Sequence, residues 1–175
     1  MKAKYLLFHN KKSAWIELSQ ASGIMHINEN DLNILRASTY GTGVLIKHAL
    51  DLGCQEIILG VGGSATNDAA AGIFQALGGN LLDKKRKEIE KGGAELCRLV
   101  SIIDPKINKS ITWKIAYDVI NPLIGKNGAS TIYGPQKGAS EDEIKILEKS
   151  LLLSLIHISE PTRPLYISYA VFCLK

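Results

Sequence analysis

Apolar residues along the chain fall into short blocks whose spacing alternates between two periods. Lys4–His9 (KYLLFH) and Ala14–Leu18 (AWIEL) flank the polar Asn10-Lys11-Lys12, which predicts two strands joined as a β-hairpin. Ser19–Asn30, polar and interrupted by Gly23, predicts a loop or short helix, and Asp31–Arg36 one or two helical turns. Val44–Leu52 carries Val44, Ile46, Ala49 and Leu50 at helical spacing, so those side chains are expected inward, with Thr42 as N-cap and Gly53 as the stop. Ile57–Leu59 is apolar without interruption, the pattern of a strand buried on both faces of a parallel sheet. It breaks at Gly60-Val61-Gly62-Gly63, and the Ala-rich run Asp68–Leu77 then predicts a helix closed by Gly78-Gly79.

The second half is less regular. Asn80–Asp83 reads as a short strand, Lys84–Gly93 as a charged turn and Ala94–Val100 as a short helix or turn. Ile102–Asp104 ends at Pro105. Ile111–Val119 alternates and then turns apolar, predicting a strand that ends at Asp118 and is stopped by Asn121-Pro122. Gly125–Gly138 is a long Gly-rich connection, and loops of that length are often functional. Ser140–Glu143 is a capping box opening a last helix through about Leu151. Strands and helices alternate, so the class is α/β, with a mixed or mostly parallel sheet and flanking helices.

Composition narrows the function classes. A net charge of +4 over 175 residues gives no dense basic stripe, so nucleic acid is not an expected partner. The basic run Lys84–Lys87 lies between Asp83 and Glu88 and reads as a solvated turn. No segment has the pattern of a membrane span or signal peptide. Cys54, Cys97 and Cys173 show no metal spacing, and their odd number suggests reduced thiols in the cytoplasm. The last stretch is anomalous. Leu153–Pro164 (LSLIHISEPTRP) and Ile167–Lys175 (ISYAVFCLK) read like an in-frame translation of a sequencing-library adapter. Residues 1–152 are therefore expected to be the native domain and 153–175 a non-native tail in which His157 and Cys173 carry no function.

The chemistry-bearing stretch is Glu56–Gly72 (EIILGVGGSATNDAAAG). A strand, a Gly-rich turn and a helix start aim backbone N–H groups at one point, which suits an anion; equally, glycines can serve only the bend. Ser38–Gly43 is a second turn rich in glycine and hydroxyls, readable as a ligand site or as a capped helix start. Asp118, at the C-terminal end of a strand, lies where open α/β sheets hold ligands, although a cap would also sit there. A carboxylate at a metal, or acting as base, and a cap are thus both open for Asp68 and Asp118.

Four motifs in order, STYGTG (Ser38–Gly43), GVGGSATND (Gly60–Asp68), AYDVINPL (Ala116–Leu123) and GKNGAS…YGPQKGA (Gly125–Ala139), resemble the bacterial glycerate kinase family from about Lys4 to Leu152. The resemblance implies transfer of the ATP γ-phosphoryl group to D-glycerate, giving 2-phosphoglycerate or 3-phosphoglycerate, with Mg2+ as cofactor. It implies Asp68 and Asp118 as catalytic candidates, either of them a possible metal ligand. Gly62, Gly63, Ser64, Thr66, Asn67, Asn121 and Lys137 become the substrate- or phosphate-binding candidates. Two departures stand out: Ala69 and Ala70 replace glycines usual in the family, an exchange expected to be tolerated within a helix start, and Tyr117 and Ile120 stand where Cys and Thr are common. The family's DGGEGT-like N-terminal motif and its C-terminal continuation have no counterpart, so the chain resembles a middle piece of the parent enzyme, expected to be inactive alone. Two other readings remain. A dinucleotide-binding oxidoreductase would use Gly60-Val61-Gly62-Gly63, but position 65 is Ala and Asp83 lies in a charged turn. A truncated binding module would catalyse nothing.

Overall fold

A computed structural model of the chain describes residues 2–8, 10–108 and 110–158. The hairpin forms as expected: β1 (Leu6–Phe8) pairs antiparallel with β2 (Ser13–Glu17). After α1 (Ser19–Ser22) and α2 (Tyr40–Asp51), the chain returns as β3 (Glu56–Gly60), parallel to β2. A helix, α3 (Ala71–Ala76), follows. Next come β4 (Asn80–Leu82) and β5 (Ser101–Ile103), which form a separate antiparallel pair. Strand β6 (Thr112–Ala116) rejoins the main sheet parallel to β3, giving the order β1-β2-β3-β6. The sheet is thus mixed, with parallel pairing at its centre, and the class is α/β.

Register fixes which face is dry. Ala14, Ile57 and Trp113 lie side by side, as do Ile16, Leu59 and Ile115. Of these Ala14, Ile16, Ile57 and Leu59 are buried, and they pack against Ile46 and Ala49 of α2 and Ile73 of α3. The alternate positions, Trp15, Ile58 and Lys114, occupy the other face, where Trp15 and Ile58 are only half-buried and Lys114 is exposed. The expectation that β3 is dry on both faces is therefore corrected: helices α2 and α3 cover one face alone. A second core joins Ala71 of α3 to Leu81, Ile102, Leu96 and Leu151. Helix α3 stands between the two cores, which is why a six-residue helix can persist: packing, not length, holds it.

Helix α2 begins at Tyr40, earlier than the apolar pattern indicates, and this corrects two expectations. Thr42 is inside the helix and fully buried, bonded to Ser22 Oγ at 2.9 Å, so it is not the N-cap. Val44 is 49% exposed; Thr42, Gly43, Ile46 and Ala49 form the inward face. Gly43 sets that face, because a Cβ there would stand 2.6 Å from Ala76 Cβ and 2.8 Å from Ile73 Cα of α3.

The Gly125–Gly138 segment is not structureless. It contains α4 (Ala129–Tyr133) and a 3-10 turn at Pro135–Lys137, ended by Gly138 at φ 86°. The final helix, α5 (Glu141–Ile158), opens on the expected capping box: Ser140 N–H and Oγ donate to Glu143 Oε2 at 2.8 and 2.9 Å. It does not stop near Leu151 but continues to Ile158, through a stretch free of Gly and Pro. Of the expected tail, residues 159–175, Cys173 included, lie outside the described residues. Among the described residues, no helix is long and apolar enough to cross a membrane.

Candidate functional site

Parallel pairing of β2, β3 and β6 points their C-terminal ends the same way. Glu17, Gly60 and Ala116 are aligned by register at that edge. Leaving the edge, β3 feeds the Gly-rich turn and β6 feeds Tyr117-Asp118, so the two candidate segments share one side of the sheet, where such folds bind ligands. Gly62 and Gly63 are exposed, and Gly63 has φ 66°. The turn is fastened to the α1 end: Ile24 N–H donates to Gly63 O at 3.0 Å and Ala65 N–H to Ser22 O at 2.9 Å. What remains uncovered is the glycine tip.

The Asp68 carboxylate faces the interior. Asp68 is 1% exposed, and its Oδ2 accepts from Thr39 N–H at 2.8 Å, Thr39 Oγ1 at 3.0 Å and Gly72 N–H at 3.2 Å. It thereby satisfies free amides at the starts of both α2 and α3. Burial pushes its carboxyl pKa up, while the Thr39 and Gly72 hydrogen bonds pull it down. Oδ1 is buried with no partner among the described residues. Asp68 thus occupies a capping geometry. Asp118 differs: it is exposed, two residues beyond the end of β6.

Lys137 joins the node from the far side. Its Nζ donates to Ser64 Oγ at 2.7 Å and to Thr66 O at 2.6 Å. Burial drives its pKa down to about 8, and the nearby Asp68 charge opposes that shift. Asn67 Nδ2 donates to the buried Ser130 Oγ of α4 at 2.9 Å. The structure therefore gathers Ser64, Thr66, Asn67, Asp68 and Lys137 into one polar cluster beneath the turn. Asn121 is held elsewhere, by Tyr133 Oη (2.6 Å) and by its own donation to Asn127 O (3.0 Å).

Ala69 and Ala70 carry the main surprise. They precede α3 rather than opening it, with φ 49° and 58° in the left-handed region. The expectation of placement within a helix start is corrected: the chain needs two residues with positive φ between Asp68 and the helix, a conformation that side chains resist and glycine does not. Three residues of the site were not singled out in the sequence: Glu17 lies outside every motif, and Thr39 and Ser130 lie within motifs without being candidates themselves. Glu17 reaches the edge because β2 lies parallel to β3; a Cβ on Gly60 would collide with its carboxylate, and Trp15 Nε1 donates to it at 2.5 Å. Thr39 and Ser130 are found only through their partners, Asp68 and Asn67. An open pocket of about 400 Å³, lined in part by Tyr40, Gln75, Glu88 and Lys91, lies apart and holds none of the expected site residues.

The Asp83 carboxylate is consumed by its own turn, accepting from the Lys85 and Lys87 amides at 2.8 and 3.0 Å and from Arg98 at 3.2 Å. Its strand, β4, pairs with β5 and not with β3. A dinucleotide fold would need that acidic residue at the end of a parallel neighbour of the first strand, so this geometry does not supply it.

The family model for the glycerate kinase family matches residues 1–163. The chain belongs to the glycerate kinase family. A glycerate kinase of Halalkalibacterium halodurans is 46% identical over 156 residues, covering 87% of this chain and 41% of that protein. A glycerate 2-kinase of Escherichia coli is 46% identical over 144 residues, 80% of this chain and 38% of its own length. The crystal structure of a putative glycerate kinase 2 from Salmonella typhimurium LT2 superposes with a TM-score of 0.86 at 42% identity, covering 90% of this chain and 43% of that one. This glycerate kinase family chain therefore spans about two fifths of the length of the relatives it matches.

Proposed function

We propose that the chain is part of an ATP-dependent kinase that phosphorylates D-glycerate to 2-phosphoglycerate or 3-phosphoglycerate. The observation that carries this reading is the convergence of the Gly62-Gly63 tip and the Asp118 segment on one edge of a parallel sheet, in a chain of this family. Phosphoryl transfer is achieved mostly by positioning and by charge neutralisation. The exposed tip at Gly62 and Gly63, with Ser64 behind it, suits phosphate or the glycerate carboxylate. Asp118 suits activation of the attacking hydroxyl.

Mg2+ is usually held by one or two carboxylates together with substrate phosphates. Asp118 fits that demand, being an exposed carboxylate beside the tip's edge. Asp68 fits it less well: Oδ1 has no partner among the described residues, but the residue is 1% exposed, Oδ2 is committed to three donors, and the Lys137 ammonium lies close by. When bound, Mg2+ would neutralise phosphate charge. Thr66, Asn67, Asp68 and Lys137 then act as support behind the tip, and Asn121 orders the segment after Asp118. Cytoplasmic residence is part of the proposal, supported by the free thiols of Cys54 and Cys97. So is inactivity of this chain by itself, supported by its two-fifths coverage of relatives. Residues 153–175 are proposed to be non-native, on their likeness to adapter sequence.

The test is Asp118→Asn in the full-length parent enzyme, assayed with ATP, magnesium and D-glycerate. A fall in kcat/KM of about 10²-fold or more is expected, about 2.7 kcal/mol of transition-state stabilisation. A folded variant with parental kcat/KM would remove Asp118 from the site.

A further inference from the structure

A buried lysine has to answer for its cost. Desolvating an ammonium group is expensive unless its donors are all taken up and a counter-charge is near. Lys137 is 9% exposed, and two of its three donors are used, on Ser64 Oγ and the Thr66 carbonyl. Asp68, whose Oδ1 lacks a partner among the described residues, supplies the counter-charge. The residue is itself held rigidly: Lys137 N–H donates to Gly134 O at 2.9 Å, and Gly134 N–H to Ser130 O at 2.8 Å. Its ammonium points inward, at the Ser64 hydroxyl and the backbone of the Gly-rich turn.

We propose that Lys137 is a positioning residue whose ammonium locks the turn 62–68 in the shape that leaves Gly62 and Gly63 presented at the sheet edge. On one side the turn is tied to the α1 end through Ser22 and Ile24. Lys137 ties the other side to the 3-10 turn at Pro135–Lys137. Together they span the turn, so losing one side frees it. The lock itself stands on geometry alone; its part in phosphoryl transfer rests on the kinase reading above.

The test uses the full 175-residue chain, 15N-labelled, without ligand. At pH 6 and low temperature the Lys137 ammonium should give a protected NMR signal while exposed lysines are lost to solvent exchange. Lys137→Met should raise amide hydrogen exchange at Gly62–Thr66 by about tenfold or more, and Lys137→Arg should restore it to within about threefold. Ser64→Ala, which keeps the Thr66 acceptor, should give an intermediate rise and serves if Lys137→Met does not fold. An unprotected ammonium, or turn exchange within about twofold of the parent in both Lys137→Met and Ser64→Ala, overturns the proposal. Titration with inorganic phosphate separates the two ideas. Shifts at Gly62 and Gly63 in the parent and Lys137→Arg, lost in Lys137→Met, support both. A parent that ignores phosphate yet protects its ammonium keeps the lock and counts against the anion-binding reading of the tip.

Discussion

Ala69 and Ala70 show how a single torsion can set the character of a residue. Each sits at positive φ, where an L side chain costs about 1–2 kcal/mol relative to the right-handed region. The shape persists because Asp68 on one side and Gly72 on the other are both locked into the α2–α3 junction. Glycine at either position would relieve that cost and return about 0.4–1 kcal/mol to unfolded-state entropy. Ala69→Gly and Ala70→Gly should therefore each raise stability by about 0.5–1 kcal/mol, seen as a higher urea midpoint at unchanged slope. Lower midpoints in both would show that the two methyl groups, which pack on the second and first cores respectively, outweigh the strain. Lys137 makes a second prediction at this scale. Its folded pKa is depressed to about 8, whereas in the unfolded chain it keeps the usual 10.5. Between those values the unfolded state holds a proton that the folded state lacks, so stability rises with pH across the window. Urea melts from about pH 7.5 to 10 should show a rise in the parent relative to Lys137→Met; parallel pH profiles for the two would contradict it.

Among elements, the α2–α3 crossing organises both the main core and the Asp68 node. Gly43 and Gly72 let the two helices meet: a Cβ on Gly72 would strike Ser38 Oγ and the Tyr40 amide. Gly43→Ala should overpack this contact and cost about 1–3 kcal/mol in a urea melt, while Gly53→Ala tests a different term, the left-handed stop at φ 91°. An unchanged Gly43→Ala midpoint would mean that the helices slide apart freely. The same crossing explains which parts of the fold were legible. The hairpin, β3, β6 and the capping box of α5 could be read because each has a local signature: period, turn residues or spacing. The inward face of α2 could not, because it is set by the neighbour that Gly43 touches, and Val44 fits the helical period equally well until α3 is in place. Helix α4 was hidden by a Gly-rich composition whose Gly128 and Gly134 serve as its boundaries. In the candidate site, the Gly-rich turn was legible as a motif and Asp118 as a carboxylate just past a strand, and their roles there belong to the proposal. Glu17 was not, since it reaches the edge only through the pairing of β2 with β3. The inward turn of Asp68 was likewise invisible, because a capping aspartate and a ligand-binding aspartate have the same sequence surroundings until the Thr39 amide is seen beside it.

At the scale of the whole molecule, α5 is the element that closes the second core, and it also carries the boundary proposed after Leu152. Leu147 and Leu151 are both fully buried, and Ser154 is 1% exposed with its Oγ donating to Leu151 O at 2.8 Å. Six residues of the proposed non-native tail, Leu153–Ile158, therefore lengthen α5 past its last core leucine. Two truncations separate their contributions. Removing 159–175 should leave stability within about 0.5 kcal/mol of the parent, as the proposal that this stretch is non-native requires. Removing 153–175 leaves Leu151 next to the new chain end, where the last turn frays and its carbonyls lose helical partners. That truncation should cost about 1 kcal/mol, less than the roughly 2–5 kcal/mol of emptying a buried leucine site, because Leu151 can still reach Leu96 and Ile102 from a frayed turn. A loss above about 2 kcal/mol on removing 159–175 alone would mean that those residues bury real core surface, and the non-native reading of the tail would fall with it.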